Sequence, residues 1–379
     1  MFKKTLVILA SSLIATGLIS CAADNSPKPQ PMPEIKNEVT LKQGWVQSRL
    51  NNSDAGSFAP TIYDNAIFTA DFDGNIYKVD PSDGSMITQF SIDKKLSSGV
   101  GVSSSNIFVT TKDALLIAVD KGNGNIKWQA PLPTISLEAP QATNNIVVVR
   151  TNDAQVLAFD SSTGTPLWVY QKPIPPLTLR VQNSFFVIGN EVVAAGLPGG
   201  KLALINLVSG SPIWENYVAI PEGATDLDKL TDIGMRPVLD NKTLYVATYN
   251  GKLSCVDALS SNVIWQKKFS TTYGVVVDEQ NVYAVSQDGV VYAFDKATGA
   301  QVWQNTTLQY RKLSTPALEG NGVLVVDNDG YVHMFNRNDG HEMARVDTNL
   351  LYGVSQPITR DTGVIYQSAN GYLVQIKNY

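Results

Sequence analysis

One unit of about forty residues recurs along the chain and constrains its fold more than any other feature. The unit consists of an acidic or small residue followed by Gly, an alternating apolar strand, an Asp or Asn, and a turn usually closed by Gly. The residues that end the strand are Asp80, Asp120, Asp160, Asn206, Asp257, Asp295 and Asn336. They are spaced 40, 40, 46, 51, 38 and 41 residues apart. A period near forty is typical of the blades of a β-propeller.

The composition of each unit predicts four short antiparallel strands. Apolar alternating runs are separated by Asn-Gly or Asp-Gly dipeptides, which favour tight hairpins. One such sheet cannot bury both of its faces, so the units are expected to pack around an axis and close into a ring. Seven full units and a partial C-terminal one predict an all-β, eight-bladed propeller over residues 41–379. The segment from Gly44 to Leu50 is expected to supply the missing outer strand of the last blade.

The first twenty residues have the composition of an export signal, with Lys3 and Lys4 before an apolar stretch from Leu6 to Ile19. This stretch is shorter than the roughly 20 residues that a membrane-spanning helix needs. The sequence Leu-Ile-Ser-Cys at residues 18–21 resembles the lipobox of bacterial lipoproteins. The resemblance implies cleavage before Cys21 and a lipid anchor on it, and Ala22 after it favours the periplasmic face of the outer membrane. The alternative is an ordinary signal peptide with a chance cysteine.

Residues 21–40 are polar and contain four alternating prolines, a composition that predicts an extended, lipidated tether rather than a packed element. Loss of Lys3 and Lys4 with the signal would change the net charge from −5 to −7, which argues against a nucleic-acid partner. Once Cys21 carries lipid, Cys255 has no disulfide partner. With only His333 and His341 besides, neither a metal centre nor a Ser/His triad is expected, and no cofactor is predicted.

Tryptophans recur four residues after the turn position. They are Trp128, Trp168, Trp214, Trp265 and Trp303. Each ring could bury about 150–250 Å² between neighbouring blades, and its replacement by Ala should cost about 3–5 kcal/mol. An aromatic site for a sugar or a quinone is the alternative. Trp45 falls outside this register, and Thr88 and Ala344 occupy the equivalent positions of units one and seven, which predicts the softest seams there.

The aspartates that end the strands are expected to stabilise turns, because an Asp side chain can accept a backbone N–H two residues further on. Their regular spacing places one on each blade, too far apart for the paired carboxylates of acid–base catalysis. We therefore predict no catalytic residue among them.

Two intervals exceed the period, because of insertions at Gln171–Gln182 and Glu215–Arg236. Both follow the outer strand of one blade and precede the inner strand of the next, on adjacent blades. Insertions in repeat proteins often lie on one binding face. The two segments are therefore predicted to emerge side by side and to form a composite site.

The repeat resembles the tryptophan-docking repeat of pyrroloquinoline-quinone dehydrogenase propellers. Together with the lipobox, the Pro-rich tether and the eight units, the chain resembles the BamB family of lipoproteins of the outer-membrane β-barrel assembly (BAM) machinery. The resemblance implies a non-catalytic scaffold without a cofactor, monomeric within a hetero-complex. It also implies BamA, the rest of the BAM complex and unfolded outer-membrane proteins as partners.

The family's BamA-contacting Leu-Thr-Leu-Arg segment is matched by Leu177, Thr178, Leu179 and Arg180. Asp232 matches the first acid of a nearby acidic segment, whose second acid is replaced here by Gly234. Two Leu beside an Arg have the composition of a protein-binding hot spot. The alternative is that both Leu pack inward and Arg180 is solvated.

Two other functions remain open at the level of the sequence. A quinoprotein dehydrogenase is suggested by the repeat, but those enzymes are much longer and typically carry an adjacent Cys pair and a calcium site at the axis. A periplasmic propeller with another envelope client is the third hypothesis.

Overall fold

A computed structural model of the chain describes residues 27–51, 57–180 and 184–379. Within these ranges the secondary structure consists of 32 β-strands in eight four-stranded antiparallel sheets. The eight-bladed propeller predicted from the repeat is thereby confirmed. The predicted export signal and the lipid anchor Cys21 lie outside the described residues. None of the described residues belongs to a helix long and apolar enough to cross a membrane.

The strands follow the repeat, and each blade is numbered from its inner to its outer strand. Strand β1 spans Leu41–Gln47. Blade 1 contains β2 (Thr61–Tyr63), β3 (Ala66–Ala70), β4 (Asn75–Val79) and β5 (Met86–Ser91). Blade 2 contains β6 (Gly101–Val102), β7 (Asn106–Thr110), β8 (Leu115–Asp120) and β9 (Ile126–Pro131). Blade 3 contains β10 (Gln141–Ala142), β11 (Ile146–Arg150), β12 (Val156–Asp160) and β13 (Pro166–Tyr170). Blade 4 contains β14 (Phe185–Ile188), β15 (Val192–Leu197), β16 (Lys201–Asn206) and β17 (Pro212–Tyr217).

The second half of the ring repeats this arrangement. Blade 5 contains β18 (Val238–Asp240), β19 (Thr243–Ala247), β20 (Gly251–Asp257) and β21 (Val263–Phe269). Blade 6 contains β22 (Val275–Val277), β23 (Asn281–Val285), β24 (Val291–Asp295) and β25 (Gln301–Asn305). Blade 7 contains β26 (Ala317–Glu319), β27 (Gly322–Val326), β28 (Tyr331–Asn336) and β29 (Glu342–Asp347). Blade 8 contains β30 (Ile358–Arg360), β31 (Gly363–Gln367) and β32 (Leu373–Asn378), and β1 is its outer strand.

The two ends of the chain meet in blade 8. Strand β1 pairs antiparallel with β32, from Leu41 opposite Asn378 to Gln47 opposite Leu373. This confirms that the N-terminal segment closes the last blade, although the strand begins three residues before the predicted Gly44. Closure of the ring in this way leaves no blade without its outer strand.

The ring has two faces that differ in their loops. The crossover face carries the connections from each outer strand to the next blade and the turns between second and third strands. The turn face carries the remaining two turns of each blade. Backbone hydrogen bonds join loops within a face, as from Leu96 N to Phe72 O (3.0 Å) on the crossover face. On the turn face Lys121 N donates to Ser105 O (3.0 Å).

Burial follows from the position of each strand in its blade. The second strand β11 is buried at every residue, because both of its faces lie against neighbouring blades. The outer strand β5 instead alternates between half-buried and exposed residues. Near-continuous apolar runs in the middle strands therefore form the core between blades, and the alternating outer strands meet solvent.

The predicted tryptophan seams are confirmed. Trp303 donates its indole N–H to Arg337 O of the next blade (2.8 Å), and its ring covers Gly340, where a Cβ would overlap it. The same indole bond joins Trp128 to Ser161, Trp168 to Leu207, Trp214 to Ala258 and Trp265 to Lys296. The rings are therefore occupied by packing between blades.

Trp45 was wrongly placed outside this register. Its indole N–H donates to Pro81 O (3.0 Å) and its ring covers Gly84, so it seals the seam between blades 8 and 1. At the seam predicted to be soft because of Thr88, the ring of Phe90 covers Gly124. Beside Ala344, Val39 packs against the core. The position of Thr88 thus has an aromatic substitute, and the softness of both seams stays a prediction.

The strand-end aspartates stabilise turns, as predicted. Asp160 Oδ1 accepts the backbone N–H groups of Ser162 and Thr163, both at 2.9 Å. Asp80, Asp120, Asp257 and Asp295 make equivalent bonds. In Asp160, hydrogen bonds from the Ser162 side chain and the turn N–H groups lower the pKa of the carboxyl group, since they favour its ionised form.

The Pro-rich segment does not hang free over its described part, which corrects the prediction of a simple spacer. Residues 27–40 contain no strand and run along the outer edge of blade 7. Glu38 N donates to Met343 O (2.8 Å), and Asn37 exchanges two 3.0 Å hydrogen bonds with the backbone of Arg345. Backbone and side-chain bonds of this kind cannot be read from a polar, proline-rich composition.

Candidate functional site

The two insertions lie next to each other on the crossover face, as predicted. The first connects β13 to β14, and its residues 181–183 lie outside the described part of the chain. The second begins within β17 at Glu215, and residues 218–237 connect β17 to β18. Both connections are longer than their counterparts elsewhere because of the insertions that the spacing revealed.

One buried carboxylate ties the two insertions together. Asp232 Oδ2 accepts the backbone N–H of Leu179 (2.6 Å), and Oδ1 accepts that of Gly199 in the turn between β15 and β16 (2.8 Å). Asp232 is buried, with an exposed fraction of only 3%. Burial raises the pKa of Asp232, opposed by these two N–H groups. Asp232 was predicted as a partner-binding residue, but in this structure its carboxylate holds the first insertion in place.

The matched segment presents its two ends to solvent. Leu177 is 41% exposed and Arg180 is exposed, while Thr178 and Leu179 are half-buried. The sequence left open the alternative that both leucines pack inward. The exposure of Leu177 excludes it. The segment therefore displays an apolar side chain and a guanidinium on a backbone fixed at Leu179.

A second buried group holds the far end of the first insertion. Glu138, which is buried, pairs with Arg150 Nη1 (2.6 Å) at the end of β11. It also accepts the N–H of Ser184 (2.6 Å) and its hydroxyl (2.9 Å). Burial raises the pKa of Glu138, opposed by Arg150 and Ser184. Sequence reasoning missed this pair, because a single Glu in a connection carries no signal of a partner twelve residues away.

The second insertion has its own anchors and its own exposed apolar groups. Leu230 and Ile233 are buried, whereas Ile220 and Leu227 are exposed. Asp228 accepts the N–H and hydroxyl of Thr225 at 3.0 and 2.8 Å, and these bonds lower its pKa. Among the described residues, no group of three or more His, Cys, Asp or Glu is placed to hold a metal ion.

Gly234, which stands where an acidic residue was expected, lies close to the backbone of a neighbouring connection. A Cβ built on Gly234 would lie 3.1 Å from the Cα of Thr272, in the connection to blade 6. An acidic side chain at this position would therefore require the backbone at Thr272 to move by a few tenths of an ångström. The close approach of the two connections therefore disfavours a larger side chain at Gly234.

The surface between the insertions forms a hollow lined by apolar residues and by Lys172 and Lys201. A hollow of about 250 Å³ is lined by both segments, including Ile174, Pro175, Tyr217 and Pro221. Ile174 and Tyr217 are exposed. Exposed apolar and aromatic side chains are enriched at protein–protein interfaces. The geometry thus favours contact with another protein over chemistry on a small molecule.

Comparison with known proteins places the chain among assembly factors. Residues 72–305 match the family model described as outer membrane protein assembly factor BamB. The outer membrane protein assembly factor BamB of Bordetella pertussis is 36% identical over 321 residues, which cover 84% of this chain and 82% of the relative.

Solved structures agree with this assignment. The crystal structure of BamB from Moraxella catarrhalis matches with a TM-score of 0.80 and 25% identity, over 89% of this chain and all of that one. The quinohemoprotein alcohol dehydrogenase from Comamonas testosteroni matches with a TM-score of 0.70 at 12% identity, over 89% of this chain and 76% of the enzyme. The second likeness concerns the fold alone.

Proposed function

Because the chain belongs to the family of the outer membrane protein assembly factor BamB, we propose that it is a non-catalytic scaffold of the BAM complex. In this role it binds the periplasmic domains of BamA and assists the folding and insertion of unfolded outer-membrane proteins. It works at the periplasmic face of the outer membrane, anchored by the lipid on Cys21.

The observation that supports the proposal is that residues 177–180 expose Leu177 and Arg180 on a backbone that is held in place at Leu179. Asp232 fixes Leu179 through its backbone, which leaves Leu177 and Arg180 free to contact a partner. A preorganised loop loses little conformational entropy on binding, so its contacts contribute more fully to affinity. Arg180 supplies planar donors for a carboxylate or a backbone carbonyl of BamA.

A charge reversal tests the site. Arg180→Glu should lower the amount of BamA that co-purifies with the protein in mild detergent by roughly tenfold or more, as expected for a central interface arginine. The melting temperature should stay unchanged, because Arg180 is exposed. Lys242→Glu is the matched control, since it makes the same change of charge at an exposed residue on the turn face.

The two variants together separate a specific contact from a general effect of charge. If Arg180→Glu binds BamA as well as the unaltered protein does, this segment is not the binding site. If Lys242→Glu is impaired equally, the loss reflects net charge and the proposed site is equally unsupported.

A further inference from the structure

The segment before β1 has a definite direction across the ring. Glu38 lies at the turn face, where its carboxylate is 3.1 Å from Nε2 of His341 in the turn between β28 and β29. Gln30 lies at the crossover face, where its N–H donates to Gln309 O in the connection between β25 and β26 (3.0 Å). Read from β1 toward the N terminus, the chain therefore crosses the height of blade 7 and leaves at the crossover face.

Two arginines, Arg311 and Arg345, donate hydrogen bonds to backbone carbonyl groups of this segment. Arg311 is held by Asp327 (2.8 Å) and Asp329 (2.6 Å), and its remaining Nη1 donates to Gln30 O (3.3 Å). Because its carboxylate partners fix the guanidinium, its free edge is a preorganised donor for a backbone carbonyl.

Arg345 is held by a carboxylate and binds the segment in the same way, closer to the turn face. Arg345 pairs with Glu342 (2.8 Å) and donates from Nη1 to Pro33 O (3.1 Å). The buried His333 contacts the same Glu342 at 2.7 Å. Met32 adds an apolar contact with the core between blades 6 and 7. The segment is thus held by polar and apolar groups along its length.

Docking shortens the chain that is left to reach a membrane. Gln30 lies nine positions after Cys21 along the chain, a span of at most about 30 Å, whereas Thr40, nineteen positions after Cys21, would allow a reach of about 65 Å. A strand of five or six residues is about 20 Å long, so turning the other face to the membrane would use most of the shorter span.

We propose that residues 27–38 form a docked strap that directs the lipid anchor out of the crossover face. The membrane-bound ring then turns that face, with residues 177–180, toward the lipid surface. This inference rests on the proposed lipidation of Cys21, but the strap itself is a property of the folded chain.

The orientation is measured by energy transfer on the lipidated protein in vesicles of phosphatidylcholine and phosphatidylglycerol, without a partner. Single reporter cysteines replace Tyr352 on the crossover face and Leu259 on the turn face, both highly exposed. The free Cys255 is buried and does not compete for the label. Transfer to headgroup-labelled lipid should be roughly twofold or more greater from Tyr352→Cys, because the ring height of about 20 Å separates the reporters. Equal transfer, or greater transfer from Leu259→Cys, overturns the proposal.

A variant of the strap tests whether docking of residues 27–38 causes this orientation. Met32→Ser with Asn37→Ala removes the apolar contact and the two hydrogen bonds between the Asn37 side chain and the Arg345 backbone without changing a residue of the ring, so the melting temperature should be nearly unchanged. The difference between reporters should shrink, and trypsin should cut after the exposed Lys36 roughly tenfold faster, because docking protects the backbone. Equal cleavage of the variant and the unaltered protein overturns the strap.

Failure of the strap is distinguishable from failure of the proposed function. Flotation with vesicles reports lipidation, and co-purification reports the BamA contact. If the protein does not float, lipidation is wrong, and the cleavage comparison at Lys36 still decides whether the strap exists.

Discussion

Asp232 offers the sharpest test of how the site is held. Asp232→Asn preserves the shape of the side chain but leaves one acceptor oxygen for two N–H groups, those of Leu179 and Gly199. The new NH₂ group faces one of these donors, which is then buried without a partner. The change removes one hydrogen bond and adds the cost of desolvating an unpaired group.

The magnitude follows from the two contacts. A hydrogen bond to a charged group contributes about 1.5–3 kcal/mol, so we expect a loss of about 2 kcal/mol in the stability of the loop. If one or two residues around Leu179 lose their order, binding must restore it at about 1–2 kcal/mol per residue. Affinity for BamA should therefore fall roughly fivefold to several hundredfold, because 1.4 kcal/mol corresponds to a factor of ten.

Two measurements check this expectation. Hydrogen exchange of the Leu179 amide should accelerate, and titration of the variant with the periplasmic domains of BamA should give the weaker affinity. Asp228→Asn is the matched control, since Asp228 lies in the same insertion but is exposed and bonds to Thr225 rather than to Leu179 or Gly199. Wild-type protection and affinity in Asp232→Asn would refute the claim that this carboxylate holds the site.

Two further predictions concern the ring. Gly340→Ala should destabilise the protein by roughly 3 kcal/mol, since a Cβ overlaps the Trp303 ring, whereas Gly189→Ala, with a similar positive φ but open space, should cost about 1 kcal/mol; equal urea midpoints would contradict the docking. The pKa of Asp160 is lowered in the folded state, so its contribution to stability is complete above its ordinary value of 3.8 and is lost as the pH falls through the folded value. Asp160→Asn should therefore reduce the fall in urea midpoint below about pH 4, and an unchanged fall would refute this assignment.

The repeat predicted the blades because each unit repeats the same local contacts. The position of Trp45 was missed for a reason of topology. Its turn, at Gly84, follows it by 39 residues, but the strand that carries Trp45 belongs to the last blade, so counting forward within one unit cannot find the pair. Phe90 was missed because it reaches Gly124 from two residues beyond the expected Thr88.

The site was predictable only in its location. Interrupted spacing revealed both insertions, since an insertion changes the period whatever its conformation. The buried role of Asp232 depends on backbone N–H groups of Leu179 and Gly199, and every residue offers such groups, so no side-chain pattern distinguishes these partners. Glu138 and Arg150 meet for similarly non-local reasons, in a pair that only the packing of blade 3 brings together.

Pairing of β1 with β32 has a consequence for the making of the protein. The strand at residues 373–378 joins a strand that is synthesised more than 300 residues earlier. Contacts so distant in sequence form slowly, because a long loop must be closed before they contribute stability. A product that stops short of Leu373 leaves β1 without its pairing partner, so the circle of blades can be sealed only after residues 373–378 have been made.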